Sequence, residues 1–213
     1  MAIHTLLGKG FDCNVFLVTG NHPFIVDTGS GESDARIQRW LKPILNGAKL
    51  DSIILTHRHF DHIGGVASLK RNHDANVLIH RDDAEAVRNA DPEETGAVIF
   101  GAPICPIEVN ELLGTETISS GENSFKVIHT PGHSAGSICL YEKESSSLIC
   151  GDTVFKDGVG RWDLPSGHFN SLLSSVRALK HLKIRNIYPG HGPCALGDGE
   201  EAVERAMTYL GEY

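Results

Sequence analysis

The stretch that most constrains this chain is Thr56-His57-Arg58-His59-Phe60-Asp61-His62, which places three histidines and one aspartate within six consecutive positions. It follows the apolar run 53–55 directly, so its polar side chains lie at the exit of a short buried strand. Imidazole nitrogen and carboxylate oxygen are the usual protein ligands of zinc and of non-haem iron. The arrangement is unsuited to a hydrophobic core and indicates a metal site that can reach two adjacent ions.

The spacing within this stretch predicts two groups of ligands. His57 and His59 are two positions apart, and in an extended segment such residues point to the same side, so they can share one ion. If a helix begins near Asp61, then Asp61 and His62 project from its first turn in other directions and can serve a second ion.

Three further loops each place one metal-binding side chain in a tight turn after a predicted strand. They are Thr130-Pro131-Gly132-His133, Gly151-Asp152-Thr153 and Pro189-Gly190-His191-Gly192-Pro193. A histidine beside glycine or proline is by itself typical of a turn. The three loops share one arrangement, however, and a metal site needs ligands on rigid supports.

Apolar periodicity predicts alternating strands and helices along the whole chain. In the first half we expect strands at 13–18, 24–26, 52–55 and 76–79, and helices at 32–46, 61–72 and 81–89. Residues 91–114 contain three prolines and are predicted to be an irregular connector. In the second half we expect strands near 115–118, 124–129, 137–141, 147–150 and 186–188, helices at 169–179 and 202–210, and a long glycine-rich loop at 151–168.

The two halves, roughly 1–113 and 114–213, resemble each other weakly. Asp27 follows one apolar strand much as Asp152 follows another, and the strand before His57 resembles the strand before His191. Two sheets with helices on their outer faces would bring these strand exits to one edge. We therefore expect an α/β chain with a single domain over 1–213, built as a four-layer αββα sandwich of two mixed β-sheets.

Charge and composition argue against several classes of function. A formal charge of −8 disfavours binding to nucleic-acid phosphates. No apolar run approaches the roughly 20 residues of a membrane span, and the N-terminus lacks the features of a signal peptide. The five cysteines include no C-x-x-C pair, which indicates reduced, mostly buried thiols in a cytoplasmic protein. Oligomeric state has no signature in the sequence.

The motif set H-x-H-x-D-H, T-P-G-H, G-D and G-H resembles that of the metallo-β-lactamase-fold hydrolases, over residues from about 12 to 194. The resemblance implies two ligand sets joined by one aspartate: His57, His59 and His133 for a first ion, Asp61, His62 and His191 for a second, and Asp152 for both. It also implies that Asp27 lies behind the site and orients a ligand histidine. We expect zinc to be the bound metal, although the same ligands also accept iron and manganese.

Two such ions would lower the pKa of a shared water to about 7 or below, and the resulting hydroxide would attack a carbonyl or phosphoryl centre. Asp61 is placed to accept or relay a proton. Ser134 and Ser137 lie near His133 without a separate base, so we interpret them as residues that stabilise the turn.

The stretch 151–167 of the glycine-rich loop suggests the substrate. Its pattern G-D-x-x-F followed by G-x-G-R-x-D resembles the glyoxalase II group (hydroxyacylglutathione hydrolases), especially its short, single-domain members. Those enzymes hydrolyse an S-2-hydroxyacylglutathione to a 2-hydroxy acid and free thiol. Arg161 and Asp163 are expected either to face the mouth of the site or to brace the loop as an ion pair, and His168 belongs to the same loop.

The sequence also shows a departure from that group. Full-length glyoxalase II holds glutathione with a C-terminal helical domain, whereas about 20 residues follow His191 here. The substrate is therefore expected to be a small-molecule thioester or another ester. Three alternatives stay open: a persulfide dioxygenase with one iron, a lactonase or amide hydrolase of the same fold, and a metal-binding or redox-partner module without turnover. The match at Pro189-Gly190-His191-Gly192 favours a site with two metals and so argues against the dioxygenase. The 158–163 loop argues against the lactonase or amide hydrolase.

Overall fold

Two six-stranded sheets form the centre of the computed structural model, which describes residues 3–112 and 114–211. The first sheet contains, in spatial order, β1 (Ile3–Leu6), β2 (Val15–Val18), β3 (Phe24–Val26), β4 (Ser52–Ile54), β5 (Asn76–His80) and β6 (Asn110–Leu112). The second contains β7 (Thr117–Ser120), β8 (Asn123–His129), β9 (Ile138–Glu142), β10 (Ser147–Gly151), β11 (Asn186–Pro189) and β12 (Ala195–Leu196). Both sheets are mixed, since β3 to β6 and the pair β10–β11 are parallel and the other pairs are antiparallel.

The helices precede or follow these strands along the chain. They are α1 (Asp34–Leu45), α2 (Phe60–Ile63), α3 (Val66–His73), α4 (Arg81–Arg88), α5 (Ala97–Phe100), α6 (Phe169–Leu179) and α7 (Gly199–Tyr209). Among the described residues, none of these helices has the length and apolar character needed to cross a membrane.

Three apolar clusters separate four layers. One lies between the first sheet and helices α1, α3 and α4, a second lies between the two sheets, and a third lies between the second sheet and helices α6 and α7. Alternate residues of one strand supply neighbouring clusters, because side chains alternate across a strand. Ile53 packs toward the helices and Ile54 toward the other sheet. The predicted αββα sandwich of mixed sheets is confirmed.

The predicted single helix 61–72 is wrong, because the chain forms two helices with Gly64 and Gly65 between them. A Cβ atom at Gly64 would lie 2.2 Å from the Ser30 carbonyl oxygen, and one at Gly65 would lie 2.3 Å from that of Thr28. Glycine therefore lets the chain pass close to the loop after β3. This contact places α2 beside the end of β3.

The prediction of a wholly irregular connector at 91–114 is also wrong. This segment forms α5 and then β6, which pairs in parallel with β5. Strand β6 is short and lacks β-branched residues, so it has no pattern of its own and is held by its neighbour. Strands β1 and β12 were not predicted. Strand β7 begins two residues later than the strand predicted near 115–118, and α7 begins three residues earlier than the helix predicted at 202–210.

The described residues of the first sheet lie within 3–112 and those of the second within 117–196, whereas positions 1, 2, 113, 212 and 213 lie outside the described chain. A single domain over 1–213 stays a prediction. All five cysteines are free, and Cys13, Cys139 and Cys150 are buried. The cytoplasmic location inferred from them also stays a prediction.

Candidate metal centre

The candidate site lies at one edge of the sandwich, where strands from both sheets end. Strands β3 and β4 run parallel in the first sheet, and β10 and β11 run parallel in the second. Strand β8 runs in the same direction as β10, because β9 is antiparallel to both. The loops after these five strands, together with the short helix α2 that follows β4, carry all the side chains that the sequence nominated as metal ligands or as their support: Asp27, His57, His59, Asp61, His62, His133, Asp152 and His191.

The first group of candidate ligands consists of three buried histidines. The Nε2 atom of His133 lies 3.2 Å from Nε2 of His57 and 2.9 Å from Nδ1 of His59. Two nitrogens bound to one tetrahedral zinc ion are about 3.3 Å apart, given zinc–nitrogen distances of about 2.0–2.1 Å. The three nitrogens are thus spaced as ligands of a single ion would be.

The second group lies beside the first. The Nε2 atom of His191 is 3.2 Å from Nε2 of His62 and 3.0 Å from Oδ2 of Asp61. Asp152 lies between the groups, with Oδ1 3.3 Å from His62 Nε2 and Oδ2 3.5 Å from His133 Nε2. One carboxylate therefore reaches both groups.

A divalent cation in each group would fit these residues. The Oδ1 atom of Asp152 is buried and accepts no hydrogen bond among the described residues. A buried oxygen that accepts no hydrogen bond is costly, and a bound cation removes that cost. The imidazole nitrogens of the first group face one another, and a shared ion gives all three a partner at once.

Protonation states favour metal binding at four of the candidate ligands. Burial, reinforced by the neighbouring histidines, holds the pKa of His57 well below its usual value and lowers the pKa of His59 to about 3. Burial alone would raise the pKa values of Asp61 and Asp152, but the neighbouring histidines, His62 first among them, together outweigh it and lower both. Neutral imidazoles and ionised carboxylates are the forms that bind metal, so His62, whose pKa the surrounding negative charges raise despite its burial, must release its proton to bind.

Asp27 supports two of these histidines from behind. Its Oδ2 atom accepts a hydrogen bond from Nδ1 of His62 at 2.8 Å. It also accepts one at 2.8 Å from the hydroxyl of Thr56, which lies 3.0 Å from Nδ1 of His57. Engaging Nδ1 in this way leaves Nε2 of each ring facing the candidate site.

His133 is held similarly, because its Nδ1 donates to the carbonyl oxygen of Arg161 at 2.7 Å. Gly190 makes room for the other groups, since a Cβ atom there would lie 2.1 Å from Oδ1 of Asp152 and 2.7 Å from Cε1 of His62. The glycine before His191 is therefore required by this close approach.

Asp83 is a supporting residue that the sequence analysis missed. This fully buried carboxylate accepts four hydrogen bonds: from the backbone N–H of Arg58 at 2.9 Å, from Nε of Arg58 at 2.8 Å, from Oγ of Ser134 at 2.6 Å and from the N–H of Gly136 at 2.8 Å. It thereby joins the His57–His59 segment to the turn that carries His133. Its position in the first turn of a helix is typical of an exposed acidic residue, so no local signal marks it.

A cavity of about 330 Å³ opens onto the candidate ligands. Ile99 and Phe100 from the segment predicted to be a connector form one wall, and Phe155 and Leu164 from the glycine-rich loop form another. None of these four residues was predicted from the sequence to contact a substrate.

Of the three residues predicted for the substrate loop, only Arg161 lines this cavity. Its guanidinium binds Asp163 through hydrogen bonds of 2.8 and 2.9 Å, and both side chains are exposed. The exposed His168 instead caps α6, because its Nδ1 accepts a hydrogen bond from the N–H of Ser171 at 3.3 Å.

Comparisons with known proteins agree with this architecture. The family model of the metallo-β-lactamase superfamily matches residues 8–191. The chain is 35% identical over 195 residues to a probable metallo-hydrolase of Methanocaldococcus jannaschii, covering 88% of this chain and 91% of the relative. It is 31% identical over 188 residues to a hydroxyacylglutathione hydrolase of Haemophilus influenzae, covering 85% of each.

Solved structures show the same fold. The crystal structure of the B3 metallo-β-lactamase BLEG-1 matches with a TM-score of 0.81 and 28% identity, over 97% of each chain. The crystal structure of TTHA1623 in a di-iron-bound form matches with a TM-score of 0.78 and 31% identity, over 91% of this chain and 94% of that one.

Proposed function

The chain belongs to the metallo-β-lactamase superfamily and is a metallo-hydrolase by that membership, and we propose that its substrate is a thioester. The activity we propose is of the hydroxyacylglutathione hydrolase type, which yields a 2-hydroxy acid and a free thiol. The observation that carries the proposal is the convergence of two ligand groups on Asp152 at the floor of a cavity. The relative that is 31% identical and bears that enzyme name supports the choice of a thioester.

We assign the ligands as the spacing of their atoms suggests: His57, His59 and His133 to a first ion, Asp61, His62 and His191 to a second, and Asp152 to both. Asp27 orients His62 directly and His57 through Thr56. Zinc is our first candidate, iron is supported by the di-iron form of a similar protein, and manganese accepts the same ligands. Divalent ions held there would polarise the thioester carbonyl and lower the pKa of bound water.

Side chains of the protein then bind the substrate and transfer the proton. Hydrolysis joins a water oxygen to the acyl carbon, breaks the acyl carbon–sulfur bond and delivers one proton to the leaving thiolate. Asp61 is the group we propose to accept and relay that proton, because it lines the cavity and its lowered pKa keeps it ionised. Phe155 and Leu164 exclude water from one side of the cavity.

Elemental analysis paired with hydrolysis of S-D-lactoylglutathione tests this function. We expect about two divalent ions per chain and release of thiol that stops when a chelator removes the metal. Protein that binds no metal under any growth condition, or metal-loaded protein that cleaves no thioester, would contradict the proposal. Oxygen uptake with glutathione persulfide would instead identify a dioxygenase, and turnover confined to lactones or β-lactams would identify the other hydrolase class.

Replacing His191 by alanine should remove one metal ion and leave the other. His191 contacts Asp61 and His62 in the second group, whereas the first group keeps its three histidines. Metal content measured by mass spectrometry should therefore fall from about two ions to one per chain. His168→Ala is the matched control, since this exposed histidine lies outside the cavity. Two retained ions in the His191 variant would refute the dinuclear assignment.

Replacing Arg161 by alanine should weaken substrate binding more than metal binding. The side chain lines the cavity but is largely exposed, and exposed charge interactions are worth up to about 1 kcal/mol. We expect KM to rise about two- to fivefold with metal content unchanged. Asp163→Ala breaks the same ion pair without altering the cavity lining. An equal effect in both variants would show that the pair only braces the loop.

A further inference from the structure

Several large apolar side chains near the candidate site are exposed to solvent. Phe11 is 79% exposed and Ile99 is 62% exposed. The ring of Phe11 packs edge-on against Phe100 with centroids 5.9 Å apart, and Phe100 packs against Phe60 at 5.6 Å. Single exposed apolar residues are ordinary, but a contiguous group beside a catalytic cavity indicates a binding surface.

This surface forms a groove that continues from the cavity over the candidate ligands. A second cavity of about 660 Å³ is lined by apolar side chains, which we call the apolar groove: Phe11, Phe60, Ile99, Phe100, Ala102 and Pro103. Ile99 and Phe100 also line the first cavity. A group attached to a carbonyl carbon above the ligands can therefore pass directly along Ile99 and Phe100 into the groove.

The charges around the two cavities indicate which part of a thioester enters the groove. Among the described residues that line either cavity, Arg161 is the only lysine or arginine, and Asp163 already binds it. Glu32 lines the groove and adds a negative charge. A thiol portion that carries carboxylates or phosphates has no cationic partner there. An uncharged hydrocarbon chain meets no such cost.

We propose that the apolar groove binds the acyl chain of the substrate, so that the enzyme prefers thioesters of extended, apolar acyl groups, 2-hydroxyacyl groups among them, to thioesters of short acyl groups such as lactoyl. This inference rests on the proposed thioester hydrolysis and specifies its acyl specificity. A short hydroxyacyl group would leave the second cavity unfilled. Each methylene placed in the groove leaves water and contributes to binding.

Acyl thioesters of N-acetylcysteamine, a small uncharged thiol, test this specificity with the metal-loaded protein. The acyl chain is lengthened from butyryl to decanoyl while the thiol is kept constant. Complete burial of a methylene corresponds to about a fourfold gain in kcat/KM. A groove that is open on one side should give about half of that gain. We therefore expect kcat/KM to rise about twofold per added methylene until the groove is filled.

The variants Phe11→Ala and Ile99→Ala connect the effect to the groove. Each should lower the ratio of kcat/KM for decanoyl to that for butyryl by about threefold or more, because apolar contact is lost only along the longer chain. Leu196→Ala is the matched control, since Leu196 is 62% exposed, as Ile99 is, and lines neither cavity. Its ratio should equal that of the unaltered protein.

The outcomes separate this inference from the proposed function. Hydrolysis of every thioester with no dependence on chain length would overturn the proposal that the groove binds the acyl chain. The proposed thioester hydrolysis would be unaffected. If no thioester is cleaved, calorimetric titration with S-alkyl thioethers of N-acetylcysteamine still tests the groove. Affinity that rises with chain length and weakens in Phe11→Ala supports it, and affinity independent of chain length overturns it. If the protein is a dimer that Phe11→Ala dissociates, and the ratio of kcat/KM for decanoyl to that for butyryl is unchanged, a second copy covers this surface and the proposal is overturned.

Discussion

Asp152→Ala is expected to lose most of its bound metal and to hydrolyse thioesters about 1,000-fold more slowly, at the upper end of the range for removal of one electrostatic group from an active site. The carboxylate lies within 3.3 Å of His62 and 3.5 Å of His133, and so belongs to both ligand groups. On the proposed assignment, removing it takes one ligand from each ion and one negative charge from between them. Metal content and rate should therefore fall together.

Two further variants give this experiment its controls. Asp152→Asn keeps the shape of the side chain but not its charge, so a similar loss there would show that the charge is what matters. Asp157→Ala removes an aspartate from the same loop that is 77% exposed, and should leave both metal content and rate unchanged. Asp152→Ala protein with full metal content and an undiminished rate would refute the bridging role.

Asp83→Ala should produce the largest loss of stability. The variant leaves the guanidinium of Arg58 buried without one of its carboxylate partners, and removes the acceptor used by Ser134 and Gly136. Breaking a buried ion pair in this way costs about 3–5 kcal/mol of the free energy of unfolding. For a chain of this size that corresponds to a fall in Tm of about 6–20 °C.

Metal-free protein separates this effect from the effect of bound ions. With metal removed by chelator, thermal unfolding measures the contribution of the Asp83 network alone. Competition with a chelating dye should then show that the first group of ligands binds metal about 10- to 100-fold more weakly, the usual effect of losing a group that supports a ligand. Asp82→Ala changes an exposed neighbour and should alter neither quantity.

The double variant Arg58→Met, Asp83→Leu supplies an independent check. Apolar replacements of similar volume remove both charges together, so the double variant should be more stable than Asp83→Ala. If Asp83→Ala instead matched the unaltered protein in both Tm and metal affinity, the carboxylate would have no positioning role.

The candidate ligands could be nominated from the sequence because each carries a local signal. His57 and His59 lie in one short run with Asp61 and His62, and His133 and His191 lie between turn-forming residues directly after apolar strands. Turn chemistry and strand alternation are short-range properties, so a linear sequence displays them. The layers of the fold were predictable for the same reason, because apolar residues recur with a different period in strands than in helices that bury one face.

The supporting residues carry no such signal. Asp83 resembles any acidic residue at the start of a helix, and its role depends on Arg58 and Ser134, which are distant in sequence and adjacent only in the folded chain. The apolar groove likewise joins Phe11 to Ile99 and Phe100 across the first half of the protein. Strand β6 lies at the end of the 91–114 segment, which also contains Ile99. It forms because it pairs with β5, since its own residues have little tendency to form a strand.

The sequence by itself therefore determined the types of ligand, the strand exits that carry them and the two-sheet architecture, because these follow from short-range periodicity and turn chemistry. Only the tertiary structure decided that Asp152 lies between the two ligand groups, that Asp83 joins two of the loops and that an apolar groove leads away from the site. The physical reason is that hydrogen bonds and apolar contacts act over a few ångströms in space, whatever the separation along the chain.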